Sequence, residues 1–466
     1  MAKQIIPTIL GDRIEDGDYR DALPVNFYTV QKSVRGSNGY LINHPGLVEF
    51  AETTGTDRGG YYSTRFSLHF RVTGSDLLSV DSDGNTTVLG TVPGSLQVQM
   101  AESFNNFAVL ASGRLFYYNP TAGFREITDP NLGSPIDICF IAGYFFFTDG
   151  ENLYHTTIAD EEVINPLDFA TSEISPDPTL SVNRTAENQV LVADRHTLSW
   201  FYVSGGENFA FTLINGKSVK AGPVSTMLIT ELNGGWFMVG GRKDESIFVY
   251  QISGGGISKI STREIDKILS TYTEEELSSS SMESRAQDGY HFLHINLPNE
   301  TLLFNLTIAG SLGVDFAWTK LKSSSTNNVG WAGINGVFDP TVGWVYGDRT
   351  SSRLGKLDKS VSTQYGDNQE FLFYTPFVNL NGKSANQVEI KTISGFSDSE
   401  QTLSLSVTMD GQIYGKEYFA NYSEKNNRNL RFELRRLGSS NDYMGFKFRA
   451  VTSALLNFGA MELDYD

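Results

Sequence analysis

Six histidines, one cysteine and a short acidic turn are the residues of this chain whose types could do chemistry. The histidines are His44, His69, His155, His196, His291 and His294. His291 and His294 fall in "YHFLHINL", a strand pattern. Three apart on a strand, they point to opposite faces, so a shared metal is not expected. Cys139 lies among apolar residues in "IDICFIAG" and reads as buried filler. A lone cysteine makes no disulfide within the chain and no cysteine-based metal site. "DSDGN" at 81–85 has the look of a calcium loop, but Val92 stands where such a loop needs Glu. A hairpin turn explains it better. The same stretch compares poorly with a sialidase Asp box, because Asp83 stands where that box wants Gly. No HExxH, GxSxG or P-loop pattern occurs. Carboxylates are plentiful, but sequence alone does not show which pair stands the ~5–9 Å apart that glycoside hydrolysis needs. An enzyme is therefore not expected, nor any cofactor or metal.

The elements that must carry these residues are β-strands. The chain has 466 residues, 31 Phe, 21 Tyr and 45 Gly. High aromatic and glycine content with many short apolar runs favours strands joined by tight turns. At ~150 residues per domain the length allows about three domains, or one large repeat domain plus an ordinary one. A net charge of −18 makes the chain a poor candidate for gripping nucleic acid, which needs clustered Lys and Arg. It could still surround nucleic acid without holding it. The N-terminus lacks the apolar core of a signal peptide, and no stretch approaches the ~18 apolar residues of a membrane span. A soluble protein folded in a reducing compartment is expected.

Residues 1–48 read as an irregular arm, broken by Pro7, Pro24 and Pro45 and crowded with Asp12, Glu15, Asp16, Asp18 and Asp21. From about residue 60 one plan recurs: strand, turn, strand, turn, strand. "ASGRLFYYNPTAGFREI" and "TDGENLYHTTIADEEVI" both show it. The turn glycines Gly74, Gly113 and Gly150 stand 39 and 37 residues apart, and Gly206 to Lys243 is again 37. Other gaps reach 56 (Gly150 to Gly206, Lys243 to Asn299) and 51 (Asn299 to Thr350). A Pro- and Asp-rich loop over 165–188 and a helical insertion over 261–285 account for the two longest. A period near 40 with about four short strands per unit predicts a β-propeller of six or seven blades; a large irregular β-sandwich is the alternative.

The insertion carries a capping-box spacing at Ser261 and Glu264, then Ile265, Ile268, Leu269 and Tyr272 on one apolar face. Thr273 and Glu276 make a second box. Such a helix pair either projects to dock on a neighbour or packs on its own scaffold. From about residue 365 the pattern becomes a compact antiparallel β-sandwich. Within it, Lys425, Arg428, Arg431, Arg435, Arg436, Lys447 and Arg449 face only Glu433 and Asp442. The period of two puts Arg431, Glu433 and Arg435 on one strand face and Leu430, Phe432 and Leu434 on the other. That face is a solvated surface or a seat for an acidic neighbour, the acidic arm included. Arg431, Arg435, Arg436, Lys447, Arg449 and the helix residues Ile265, Ile268, Leu269 and Tyr272 are the candidate interface. The divisions read as arm 1–48, propeller 49–360 and sandwich 361–466.

Several segments together resemble one family. They are "GDYRDALPVNFY…SNGYLINHPGL" (17–47), "REIDKILSTYTEEEL…SMES…HINLPNETLLFN" (263–305), "SVSTQYGDNQEFLFYTPFV" (360–378), "TMDGQIYGKEYF" (408–419) and "RFELRRLG…MGFKFRAVTS" (431–453). Collinear over nearly the whole chain, they resemble the tail hub, or packaged-DNA stabilisation protein, of short-tailed bacteriophages such as the temperate Salmonella podoviruses. The resemblance implies a virion protein assembled in the host cytoplasm: a six-fold homo-oligomeric ring extending the tail tube below the portal and its head-to-tail adaptor. It implies that the ring holds packaged genome, anchors tailspikes or fibres and the tail needle or plug, and conducts DNA at ejection without specific binding. No membrane insertion is implied. Two rivals remain from the residues alone: a monomeric propeller binding a receptor or glycan, and a tail-associated polysaccharide hydrolase.

Overall fold

The computed structural model describes residues 2–466 except 35–36, 159, 173, 207, 328, 398–399, 423–424 and 429–430. The chain falls into two compact units interleaved in sequence. Residues 1–48, 285–331 and 357–466 form one; residues 49–284 and 332–356 form the other.

The unit built from 49–284 and 332–356 is a succession of antiparallel sheets. Asp57–Ser63, Leu68–Thr73, Asp76–Val80 and Thr86–Thr91 pair in sequence order, and 99–127, 137–171 and 179–219 repeat that four-stranded meander. A fifth sheet over 222–259 has two short strands, Gly222–Pro223 and Ile229–Leu232, sharing the partner Gly235–Gly241. The last sheet takes Gly333–Asp339, Gly343–Asp348 and Arg353–Asp358 and adds Gly46–Glu52 as its fourth strand. With the sheet of 281–321, seven sheets of this pattern occur among the described residues between 46 and 358. Apolar residues fill the spaces between successive sheets. Phe70 and Phe107 stack at 4.0 Å, and Tyr117 stacks on Phe145 at 5.2 Å. Ser112 and Gly113 both have positive φ (52° and 72°), which matches the right-handed twist of the strands they join.

Two features of this region differ from expectation. The stretch 165–188 is not a loop insertion: Ile164–Thr171 is the outer strand of the third sheet and Thr179–Arg184 the inner strand of the fourth. The irregular spacing came from comparing unlike turns. Gly74, Gly113 and Gly150 join second to third strands, whereas Gly206 joins third to outer strand. The equivalent turn of the fourth sheet is at Arg195–His196, between Gln189–Asp194 and Leu198–Val203.

A buried polar network joins the first and last sheets of this unit. The fully buried Arg71 donates from Nη1 to Asn335 O (2.8 Å) and to Asp57 Oδ2 (3.3 Å), and from Nη2 to Val345 O (2.6 Å). Its Nε donates to His69 Nε2 at 3.1 Å. That bond makes Nε2 an acceptor, so the His69 proton sits on Nδ1, 3.3 Å from Asp339 Oδ2. Glycine is needed beside this network, because a Cβ on Gly60 would stand 2.7 Å from the Arg71 guanidinium.

The other unit holds most of the 281–321 sheet and, besides it, a sandwich. One sheet runs Phe27–Val34, Ser37–Asn43, Asn457–Tyr465, Ser384–Thr392, Phe432–Ser439, with Ala2–Ile6 also pairing Asn457–Tyr465. The second runs Gln369–Tyr374, Tyr443–Thr452, Gln401–Thr408, Glu417–Tyr422. Their shared core includes Phe27, Phe373, Leu405, Phe448, Phe458 and Leu463, with Phe373 stacked on Phe448 at 4.8 Å. Residues 1–48 are thus strands and not irregular. Pro7, Pro24 and Pro45 all fall in connections between strands, where a missing N–H costs nothing. Ser37–Asn43 alternates buried with less buried positions, as a half-buried strand should. The acidic stretch is a hairpin, Gly11–Glu15 with Asp18–Ala22, whose backbone bonds to Thr375 O and Gly411 O.

Burial and the Arg71 charge hold His69 far below its ordinary value, at about 2. Between pH 2 and the ordinary 6.5 the unfolded chain therefore binds a proton that the folded chain refuses. Stability is full above pH 6.5 and is lost as pH falls. His69→Gln keeps an acceptor for Arg71 and a donor for Asp339. Its urea midpoint between pH 6.5 and 4.5 should decline less steeply than that of the unaltered chain, by about one proton; equal slopes would contradict the assignment.

Candidate functional site

His44, His69 and His155 are held in structural bonds. His155 donates from Nδ1 to Thr156 O (2.8 Å) while Nε2 accepts from Ala210 N (3.1 Å). His44 donates from Nδ1 to Pro45 O (3.0 Å) while Nε2 accepts from Arg285 Nη2 (2.9 Å). The His69–Asp339 pair has the form of a base and its orienting acid, but Arg71 already occupies the nitrogen a substrate proton would need. Burial pushes the Cys139 thiol well up, away from a reactive thiolate. Asp81 is a turn residue: it accepts from Asp83 N (2.9 Å), Asn85 N (2.8 Å) and Asn85 Nδ2 (2.9 Å). Among the described residues no group of His, Cys, Asp and Glu is placed to hold a metal.

Sequence reasoning missed one cavity. It measures about 640 Å³ and is lined by the inner strands of the successive sheets, with Tyr61, Glu102, Asp137, Arg184, Glu231 and Trp236 on its wall. Asp137 is a buried carboxyl in its wall. Burial raises its carboxyl to about 7, against the pull of hydrogen bonds from Ser181 Oγ (2.7 Å), Val182 N (2.8 Å) and Ile138 N (2.9 Å). These bonds tie the third sheet to the fourth. No spacing in the sequence could have paired residues 44 apart on different sheets.

The candidate helix does not project its apolar face. Helix α1, Arg263–Ser270, buries Ile265, Ile268 and Leu269 and packs against the strand Phe248–Ser253; Tyr272 is half-buried. The N-cap is Thr262 without a side-chain bond, so the Ser261–Glu264 box does not form. Helix α2, Glu274–Ser278, has the second box as expected: Thr273 Oγ1 accepts from Glu276 N and Glu276 Oε2 accepts from Thr273 N. Helix α2 presents its carboxylates outward, Glu274 being held by Arg195 at 2.6 Å.

The five basic candidates divide between two sheets. Phe432 and Leu434 are buried, and Arg431 and Arg435 point outward, as the period of two requires; Leu430 lies outside the described residues. The register slips between Gln387↔Arg435 and Ala385↔Gly438, and Arg436 takes φ 61° in the slip. This bulge turns Arg436 outward beside Arg435. Lys447 and Arg449 lie on Tyr443–Thr452 in the opposite sheet, with the core residues Phe446 and Phe448 alternating inward. The two groups therefore occupy different outer faces. Much of their charge is matched within the chain. Arg431 holds Glu389 through two bonds (3.1 and 2.6 Å), Arg435 meets Glu433 at 2.9 Å, and Arg449 meets Glu370 at 2.7 Å. Burial pushes Glu389 up, but Lys391 and Arg431 together hold it below the usual carboxylate range. Within the chain the backbone of the acidic hairpin bonds to Thr375 O and Gly411 O.

Comparison with known sequences supplies what this geometry cannot. Residues 4–362 match the profile described as bacteriophage P22 Gp10, beta-propeller, and residues 370–466 match bacteriophage P22 Gp10, beta-sandwich. The chain belongs to the P22 Gp10 family. A curated relative, the tail hub protein gp10 of Salmonella phage P22, is 26% identical over 470 residues, covering 97% of each chain. Among solved structures, the chain is similar to virginiamycin B lyase from Staphylococcus aureus (14% identity, TM-score 0.44, 67% of this chain and 98% of that one). It is also similar to the Neurospora crassa Pan2 WD40 domain (9% identity, TM-score 0.42, 68% and 95%). Membership of the P22 Gp10 family makes the chain a structural protein of the phage tail, not an enzyme, with a propeller and a C-terminal β-sandwich. No helix of the described residues is long and apolar enough to cross a membrane.

If the apolar face of α1 belongs to the core, Leu269→Ala should cost the isolated protein about 2–5 kcal/mol in urea unfolding. A loss below about 0.5 kcal/mol would mean that the face is free in the isolated chain.

Proposed function

We propose that this chain forms the tail hub of a short-tailed phage: a ring, six-fold by resemblance, that continues the tail channel below the portal and adaptor. The ring retains packaged DNA, anchors tailspikes or fibres and the tail needle, and becomes the conduit at ejection. The observation that carries this reading is the match to a tail hub protein over 97% of both chains, spanning propeller and sandwich alike. The structure supports it by what its residues are used for. Histidines and buried acids serve cohesion between sheets, as a scaffold requires. The net charge of −18 suits a channel that DNA passes without sticking; a basic channel lining would refute that part. In this reading the propeller 49–360 and the sandwich 361–466 are the working parts, and residues 1–48 go with the sandwich and are not a separate arm.

Of the candidate contacts, Arg436 is the strongest. It is exposed and stands beside the outward Arg435, and no ion pair holds it among the described residues. The α1 residues Ile265, Ile268 and Leu269 serve the protein's own core, and Arg431, Arg435 and Arg449 are partly spent on Glu389, Glu433 and Glu370. The test uses DNA-filled heads that lack this protein. Adding the purified chain should stop DNA release and leave rings on the heads, while Arg436→Glu should lower ring docking at least tenfold with the fold unchanged. Continued leakage with unaltered protein would refute retention; normal docking of Arg436→Glu would reduce that face to a solvated surface.

A further inference from the structure

Among the first fifty residues only the hairpin of Gly11–Glu15 with Asp18–Ala22 forms a sheet of its own. Ala2–Ile6 forms its ladder on Asn457–Tyr465, from Ala2 opposite Tyr465 to Ile6 opposite Met461, and on no other strand among those described. The hairpin of Phe27–Val34 and Ser37–Asn43 enters the sheet through the other end of that same strand, Leu41 opposite Phe458 and Ile42 opposite Asn457. The opposite edge of Asn457–Tyr465 is taken by Ser384–Thr392. Side chains repeat the dependence. The fully buried Thr8 hydroxyl donates to Gly459 O at 2.8 Å. Asn43 Oδ1 accepts from Leu456 N at 3.2 Å, and Asn43 N donates to Leu456 O at 3.1 Å. The Phe27 ring meets Phe458 edge-on at 5.8 Å.

We propose that the strand Asn457–Tyr465 is the latch for Ala2–Ile6 and for the hairpin of 27–43. Without it the sheet separates into three pieces: Ala2–Ile6, the 27–43 hairpin, and Ser384–Thr392 with Phe432–Ser439. The first has no ladder left, and the 27–43 hairpin, marginal as a two-stranded sheet, keeps contacts outside the sheet such as Phe27 with Phe371 (5.3 Å) and Tyr28 with Phe292 (5.3 Å). Ala2–Ile6 and Ser37–Asn43 therefore depend on Asn457–Tyr465 for their order. The dependence extends along the chain. Only His44 and Pro45 separate Ser37–Asn43 from Gly46–Glu52, the strand that completes the last propeller sheet. Within that sheet's unit, Phe50 and Ala51 pack with Val80, Val342, Val345 and Leu354, and Thr53 N bonds Ser352 O at 2.7 Å.

Native-state hydrogen exchange on the full chain tests this with two substitutions in one core. Phe458→Ala removes a side chain from the latch. Phe432→Ala removes an equally buried one from Phe432–Ser439, which pairs only with Ser384–Thr392 among the described strands. Phe458→Ala should speed exchange at 2–6 and 37–43 at least tenfold and leave 107–111 unchanged; Phe432→Ala should leave 2–6 within threefold. Equal effects of the two variants on the N-terminal amides would overturn the proposal. Pulse-labelled refolding of the unaltered chain gives a second reading that no variant can spoil. Protection at 2–6 and 37–43 should arise with or after that at 457–465, and earlier N-terminal protection would overturn it.

Discussion

Every buried strand edge must find a partner for its N–H and C=O groups, and in this chain the partners are supplied from the far end of the sequence. A β-sheet edge left open is both costly and adhesive. Two sheets here avoid it by pairing across roughly 300 residues or more. Gly46–Glu52 completes the sheet of 333–358, and Ala2–Ile6 and Ser37–Asn43 take their places on Asn457–Tyr465. The segment 37–52 serves both, with only His44 and Pro45 between its two strands. A structural protein of a phage tail benefits from this arrangement, because Ala2–Ile6 and Asn457–Tyr465 hold each other.

The same logic governs the charged and titratable groups. Arg71 is buried without loss because three carbonyl and carboxylate oxygens and one imidazole nitrogen meet it, and that imidazole is fixed in one tautomer by the bond it accepts. Asp137 binds one sheet to the next in the same manner. Residue types that in isolation suggest catalysis are spent on cohesion between sheets that share few covalent links. Family membership and geometry agree on a structural role.

Much of this architecture was legible in the sequence because its cues are local. Gly74, Gly113 and Gly150 sit at equivalent turns, so their spacing alone reveals the repeat. The alternation in "RFELRRL" set Phe432 and Leu434 inward and Arg431 and Arg435 outward, and the Thr273–Glu276 box marked a real helix start. What escaped was non-local. Ala2–Ile6 and Ser37–Asn43 pair with a strand at the other end of the chain, so the prolines of 1–48 read as irregularity when they are punctuation. Gly206 was mistaken for the wrong turn because third-to-outer hairpins use the same residues as second-to-third ones. The slip that turns Arg436 outward breaks the period of two, and the separation of Lys447 and Arg449 from Arg431 depends on which sheet each strand joins. Neither is written in spacing.

We propose a hub ring and not a solitary propeller. Electron microscopy of the purified protein on adaptor-bearing heads decides between them. Six copies are expected around the tail axis, each contributing propeller and sandwich density around an open channel. Single, unassociated copies, or copies attached only at the periphery of a tail made by other proteins, would contradict it.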